Sequence, residues 1–308
     1  MKALLIADFH LHVRPQWRHE WNDKFIDHLL ENEDTGLNEL FLLGDVFEKK
    51  DNIECEAINQ LLKLILNWRS GVIWVTGQHD SYVPYKCSLG QLGDLSSVKI
   101  VDREVYKHPL GEVYFVPFAR TLDKYKELLG QVPDNARVFT HMPVKEALPG
   151  ISVDAISVDE FKRFAYTISG DIHKYADYDN FSYVGAVSQR DWRDKEAQGR
   201  IAHWDMEYDN ASKMKRIETN CPMHIKVDDV SEIPKEGEYI VKLTNAKQTT
   251  ENLPENILGC SFGHVSDLQG VKIKKETRTK QQMVEEYTDK NKPKIDKDKV
   301  KEYGIANV

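Results

Sequence analysis

Cysteine is scarce in this 308-residue chain. The four residues, Cys55, Cys87, Cys221 and Cys260, show neither the CxxC spacing of a zinc site nor the density of a disulfide scaffold. A reducing, cytoplasmic setting is the expectation. There is no apolar run of the ~18 residues that a bilayer span requires. The opening MKALLIADFH passes from one lysine through a short apolar stretch into Asp8, so it reads as a first strand and not as a signal peptide. No membrane partner is expected. Internal repeats and low-complexity tracts are absent as well. The chain also lacks a basic surplus: its formal net charge is −8, so composition alone does not call for nucleic acid. The balance is uneven, because from Val271 onward basic residues outnumber acidic ones. A local basic face therefore stays open.

Hydrophobic residues make up 41% of the chain and charged residues 30%, enough apolar material for a packed core. At roughly 100–200 residues per domain, the length suggests two domains, or one large domain with an appendage. Through the first two-thirds, short apolar runs alternate with amphipathic stretches, an α/β pattern. KALLIA, ELFLLG, GVIWVTG, EVYFVPF, ARVFTH and FAYTISG read as strands, and FSYVG and GRIAHWD extend the sheets. Trp17, Trp21, Phe25 and Leu29 stack at helical spacing. A second helix carries Ala57, Ile58, Leu61, Leu62, Ile65 and Trp68 on one stripe, with Asn52 as N-cap and Cys55 in the core. Beyond about residue 215 the alternation of Ile225 and Val227, around Ile240, and of Val271 and Ile273 reads as a small β-rich region. From Thr279 the chain is highly charged, with one narrow apolar stripe of Met283, Val284 and Tyr287.

The chemistry lies where the strands stop. Five apolar runs each end, within a residue or two, on Asp, His or Gln: Asp8 with His10, Asp45, Gln78 with His79, His141, and Asp171 with His173. Carboxyl ends of strands are where ligand-binding loops of α/β sheets converge. Oxygen and nitrogen donors without a thiolate suit two hard or borderline dications, Mn²⁺ or Mg²⁺. A pair ~3.5–4 Å apart would clamp a phosphate and activate a water for in-line attack.

The segments DFH, GDVFE, GQHD, FTH and GDIH, in this order, resemble the motifs of the calcineurin-like metallophosphoesterase superfamily. The likeness is nearest to SbcD-type nucleases of double-strand-break repair and recombination, particularly their bacteriophage versions. The block FSYVGAVSQRDWRDKEAQGRIAHWD (181–205) is similar to their strand, loop and strand after the last motif. The resemblance implies a four-layer αββα sandwich over 1–215, a β-rich cap over 216–278 and a charged helical tail over 279–308. The tail lies where such proteins bind an SbcC-like ATPase subunit, and it could equally mediate a homodimer.

Carried over residue by residue, Asp8, His10 and His173 would hold one ion, Asp45 would bridge, and Gln78, His141 and Asp171 would hold the second. His79 would serve as the catalytic histidine, with Asp80 orienting its imidazole. Two positions depart from the family pattern: Gln78 stands for Asn, and Asp171 stands for His. The first adds a methylene; the second adds a carboxylate that should hold metal more firmly and polarise phosphate less. Glu48 is either a partner of the site or a helix-start carboxylate. His12, Arg14, Arg190, Trp192 and Arg193 are candidates for substrate contact, as is Arg18, whereas Trp17 is assigned to the helix core.

The function implied is a Mn²⁺- or Mg²⁺-dependent DNA exonuclease and endonuclease, acting as the nuclease subunit of an SbcCD-like complex in the cytoplasm, the host's if the chain is of phage origin. Two alternatives stand beside it. One is a stand-alone phosphodiesterase for nucleotides or small phosphate esters; the other is a non-catalytic scaffold or DNA-end tether with a decayed site.

Overall fold

The structure is a computed structural model, and it describes residues 1–83, 85–147, 155–190, 192–194, 197–244 and 253–262. The expected strand around 270–275, the charged tail and the side chain of Arg193 lie outside the described residues.

The first sheet begins with four parallel strands, β1 (Lys2–Ile6), β2 (Asn38–Leu43), β3 (Val72–Val75) and β4 (Val98–Val101). The second comprises β5 (Tyr106–Lys107), β6 (Val113–Val116), β7 (Arg137–His141), β8 (Tyr166–Gly170), β9 (Ala176–Tyr178) and β10 (Phe181–Tyr183), in the order β5-β6-β7-β8-β10-β9. Its interior strands are parallel and its two edge strands antiparallel. The chain then returns as β11 (Arg200–Asp205) and β12 (Lys215–Glu218), which complete the first sheet in the order β12-β11-β1-β2-β3-β4. Because β12 pairs with β11, the first sheet runs on to Glu218, slightly past the boundary expected at residue 215.

Alternate residues on each strand point to opposite faces, and the sequence fills both faces with apolar side chains. Leu5, Phe41, Ile73 and Val75 of the first sheet meet Phe115, Phe139, Tyr166 and Ile168 of the second in a dry layer between the sheets. The outer residues Leu4, Ile6, Leu40, Leu42 and Trp74 pack on two helices, α1 (Gln16–Asn32) and α2 (Cys55–Asn67). On the far side Tyr114, Val116 and Val138 pack on α3 (Leu122–Gly130), whose N-cap Thr121 accepts from Lys124 N at 3.3 Å. Four layers, α, β, β, α, result as expected.

Details differ. The first turn of α2 is preceded by Glu54 and not Asn52, and Cys55 is exposed, since the buried stripe is Ala57, Gln60, Leu61, Leu64 and Ile65. Trp17 is half-buried and turns its ring towards His224 instead of joining the core stripe of Trp21, Phe25, Ile26 and Leu29.

After Cys221 comes a three-stranded parallel sheet of β13 (Met223–Val227), β14 (Tyr239–Leu243) and β15 (Ile257–Phe262), with a small core of Val227, Ile233, Val241 and Leu243. Among the described residues no helix is long and apolar enough to cross a membrane.

Candidate metal centre

Both central sheets deliver their carboxyl ends to one place. After β1 the chain runs beside the segment following β2: Asp8 N donates to Gly44 O at 3.1 Å and His10 N to Asp45 O at 3.0 Å. This holds Asp8, His10 and Asp45 together. His141 is the last residue of β7, and Asp171 and His173 follow β8. Asp8, His10, Asp45 and Asp171 adopt positive φ values of 50, 50, 49 and 87°, a region that non-glycine residues seldom occupy. Such backbone costs of order 1–3 kcal/mol per residue, and it persists only where surrounding contacts impose it. Gly44, at φ 80°, packs so closely on the His141 ring that a Cβ would overlap it, and a Cβ on Gly77 would overlap the Asp45 carboxylate.

All four imidazoles present the same edge inward. His141 Nδ1 donates to Leu43 O at 2.8 Å, His79 Nδ1 to Glu48 O at 2.6 Å, and His173 Nδ1 contacts Asp194 Oδ2 at 2.7 Å. His10 Nδ1 lies 3.3 Å from Glu48 Oε2. With the Nδ1 edges turned outward, the Nε2 atoms face the cluster. His141 Nε2 stands 3.5 Å from Asp45 Oδ1 and 3.6 Å from Asp171 Oδ1, buried and without a hydrogen-bond partner among the described residues. His10 Nε2 and His173 Nε2 face each other at 3.2 Å, and His79 Nε2 is 3.9 Å from Asp45 Oδ2.

Ligand atoms of Asp8, His10 and His173 converge within 4.8 Å of one another, and so do those of Asp8, Asp45 and His141. The carboxylate common to both groups is Asp8, and Asp45 belongs to the second. Asp45 Oδ1 accepts the His79 backbone N–H at 2.8 Å and faces His141, which draws it to one side. Asp171 joins the cluster through His141, and its backbone N–H donates to both Asp8 oxygens at 3.1 Å.

The electrostatics are those of too many anions in a dry place. Burial pushes the Asp8 carboxyl up to about 7, against the pull of His141. Burial raises Asp171 as well. The same burial acts on Asp45, but the imidazoles of His141, His10 and His79 together outweigh it and hold Asp45 below the usual carboxylate range. His141 is driven well above its ordinary value, the desolvation of its ring being overcome by Asp45, Asp8 and Asp171 together. Burial lowers His10 to about 4 despite its contact with Glu48. Three carboxylates and converging imidazole nitrogens at hydrogen-bond or ion-pair distance fit divalent cations, whose charge would offset that of the carboxylates.

Not every expected residue is placed as expected. Gln78 sits on the turn between Gly77 and His79 with its side chain exposed. Asp80 does not touch the His79 imidazole. Its fully buried carboxylate instead accepts from Val46 N at 2.8 Å, Gly77 N at 2.8 Å, Phe47 N at 3.3 Å and Trp74 Nε1 at 3.2 Å, so it fastens two site loops together. The orienting contact of His79 comes from the Glu48 main chain.

Glu48 and Arg190 pair at 2.9 Å beside the cluster, so Glu48 is a partner of the site and Arg190 is committed to it. Arg18 is buried and reaches a loop instead of solvent. Arg14 is exposed and His12 half-buried, and both line a cavity of about 560 Å³ with Glu48, Lys49, Asn52 and Glu54. Trp192 packs edge-on to His224 at 4.9 Å. Sequence reasoning missed Asp194. The charge-rich loop around it was visible, but nothing in its spacing marked that residue among its neighbours.

The chain matches no protein-family model and no curated protein. Among solved structures it is similar to a conserved protein from Streptococcus pneumoniae TIGR4, described as a predicted phosphoesterase. That likeness is 13% identity over 70% of this chain and 97% of that one, with a TM-score of 0.32.

Proposed function

We propose that the protein is a metal-dependent phosphodiesterase that cleaves DNA, the nuclease partner of an SbcC-like ATPase. The observation that carries the hydrolytic reading is the inward convergence of four imidazole Nε2 edges with the carboxylates of Asp8, Asp45 and Asp171 at the strand ends of both sheets. Asp8, His10 and His173 would hold one divalent cation, and Asp45, His141 and Asp171 the other, with Asp8 between them. The cations, Mn²⁺ or Mg²⁺, would supply Lewis acidity for the phosphate and for a water nucleophile. His79, half-buried with Nδ1 fixed on Glu48 O, presents Nε2 at the edge of the cluster. When protonated, it is placed to stabilise phosphoryl charge or to give its proton to the leaving oxygen. Gln78, exposed beside His79, would reach the second ion only by turning inward. DNA as substrate and the ATPase as partner are supported by the order of the five sequence motifs and by the β-rich region that follows them.

A second reading has two observations in its favour. The cavity of about 560 Å³ beside Glu48 is the size of a small ligand, and with a net charge of −8 the chain has no overall attraction to a polyanion. A stand-alone phosphodiesterase for nucleotides or small phosphate esters fits those facts. A scaffold with a decayed site would have no need of so many inward-facing ligand atoms.

Incubation of end-labelled single- and double-stranded DNA with Mn²⁺ tests the proposal. Cleavage is expected in the wild type, a loss of about 10²–10⁴-fold in His79→Ala with metal binding retained, and none in Asp45→Asn. Hydrolysis confined to small phosphate esters would establish the second reading. Cleavage by His79→Ala at the wild-type rate would remove that residue from the chemistry.

A further inference from the structure

Two imidazoles of the cluster are backed by carboxylates, His173 by Asp194 and His10 by Glu48, and Arg190 joins the two. We infer that Asp194 and the Arg190–Glu48 pair form a positioning platform that sets the affinity of the Asp8, His10 and His173 group for its cation without setting that of the His141 side. The inference rests on the metal reading above.

The contacts form a closed circuit. Asp194 Oδ2 meets His173 Nδ1 at 2.7 Å and accepts the Arg190 backbone N–H at 2.9 Å. The Arg190 guanidinium reaches Glu48 Oε1 from Nε at 3.0 Å and from its terminal nitrogen at 2.9 Å. Glu48 Oε2 lies 3.3 Å from His10 Nδ1, and His10 Nε2 faces His173 Nε2 at 3.2 Å. Each of the two imidazoles thus has a carboxylate behind it. A carboxylate behind a ligand histidine fixes its ring and raises its basicity. His141 is oriented differently, by the neutral main-chain carbonyl of Leu43 in the sheet itself, so it does not depend on this loop.

The platform is fastened at its other side. Arg18 of α1, 2% exposed, donates to Ser188 Oγ at 3.2 Å, to Arg190 O at 3.1 Å and to Gln189 O. The buried Gln189 amide donates to Ala197 O at 2.9 Å and accepts from His224 N on β13 at 2.6 Å. With these polar groups committed, small displacements of Asp194 are resisted, which is what a positioning role requires.

Calorimetric titration of the full-length, metal-free protein with Mn²⁺ tests this. The wild type should bind two ions. Asp194→Ala should weaken one of them about 10–100-fold and leave the other unchanged. Asp194→Asn, which keeps an acceptor and loses the charge, should fall between, and Glu48→Gln should weaken the same ion as Asp194→Ala. In a His173→Ala background, Asp194→Ala should have no further effect on that ion, because the residue acts through the missing imidazole. Circular dichroism of each variant checks that the fold is intact. Two ions bound by Asp194→Ala with wild-type affinity, or both weakened alike, would overturn the inference alone. A wild-type protein that takes up no Mn²⁺ would overturn the metal reading and the inference with it.

Discussion

Asp8 concentrates the cost of the site in one residue. It is buried, at positive φ, and shares its surroundings with Asp45 and Asp171. Its folded pKa of about 7 lies above the ordinary 3.8, so the fold favours the protonated form. The stability associated with that proton is fully present below pH 4 and is lost as pH rises through 7. In Asp8→Asn no carboxyl has to ionise. Without metal, Asp8→Asn should therefore gain stability relative to wild type as pH rises from 4 to 7, by on the order of a few kcal/mol. With saturating divalent cation the order should reverse, because the ion replaces the proton and the variant lacks that ligand. Thermal melts of both proteins across this pH range, with and without Mn²⁺, check the sign. A difference that stays flat with pH would show that Asp8 ionises freely in the fold. The candidate ligands were legible as residues because apolar runs stop abruptly on Asp and His. The outward contacts of their rings were less legible: Glu48 stood as one of two alternatives and Asp194 was unmarked, since both meet the rings only through folding of segments far apart in the chain.

At the scale of elements, the strands were read closely and their ends decide the site. ARVFTH forms β7 from Arg137 and FAYTISG forms β8 from Tyr166, because continuous apolar runs can be buried on both faces only in central strands. Helix starts and helix faces were less legible. Asn52 lines the cavity instead of capping α2, and Cys55 lies at an exposed helix start, so caps and faces here follow the tertiary placement of the loop and not local preference.

The loop after β3 supplies an element-scale prediction. Gly77 lies against the Asp45 carboxylate, the Asp45 backbone N–H and His141 Nε2, none of which can retreat without opening the cluster. Gly77→Ala should cost about 1–3 kcal/mol of stability and weaken divalent-cation binding. Gly93→Ala is the matched control: its new methyl would meet Ile100 at an ordinary 3.8 Å, and it should change neither quantity. Melting and Mn²⁺ titration of the two variants separate a loop shaped around the ligands from a glycine that merely tolerates its place. Arg18→Met belongs at this scale too. It leaves the carbonyls of Gln189 and Arg190 without their buried donor, at ~1–3 kcal/mol for each unsatisfied group, and a melt should show that loss in metal-free protein.

For the molecule as a whole, the candidate ligands come from both sheets. Asp8, His10 and Asp45 extend the first sheet; His141, Asp171 and His173 extend the second. The two sheets are otherwise joined face to face by apolar packing, such as Phe41 against Phe115 and Phe139 at ring separations of 4.8 and 5.1 Å. Cations bound across the strand ends would add a second fastening at the polar edge of that layer, where the carboxylates now repel one another. Anything that binds the folded chain and not the unfolded one stabilises it by mass action, ~2.7 kcal/mol at a ligand concentration 100 times its Kd. For a domain of this size that corresponds to a Tm higher by roughly 5–10 °C. Because the ligands span both sheets, the rise should appear in one sharpened transition and not in a split one, and Asp45→Asn or His173→Ala should each remove part of it. A Tm that does not move with Mn²⁺ or Mg²⁺ would mean that the cluster holds itself together by its protons. The buried imidazole–carboxylate group would then be a structural ion network between the sheets.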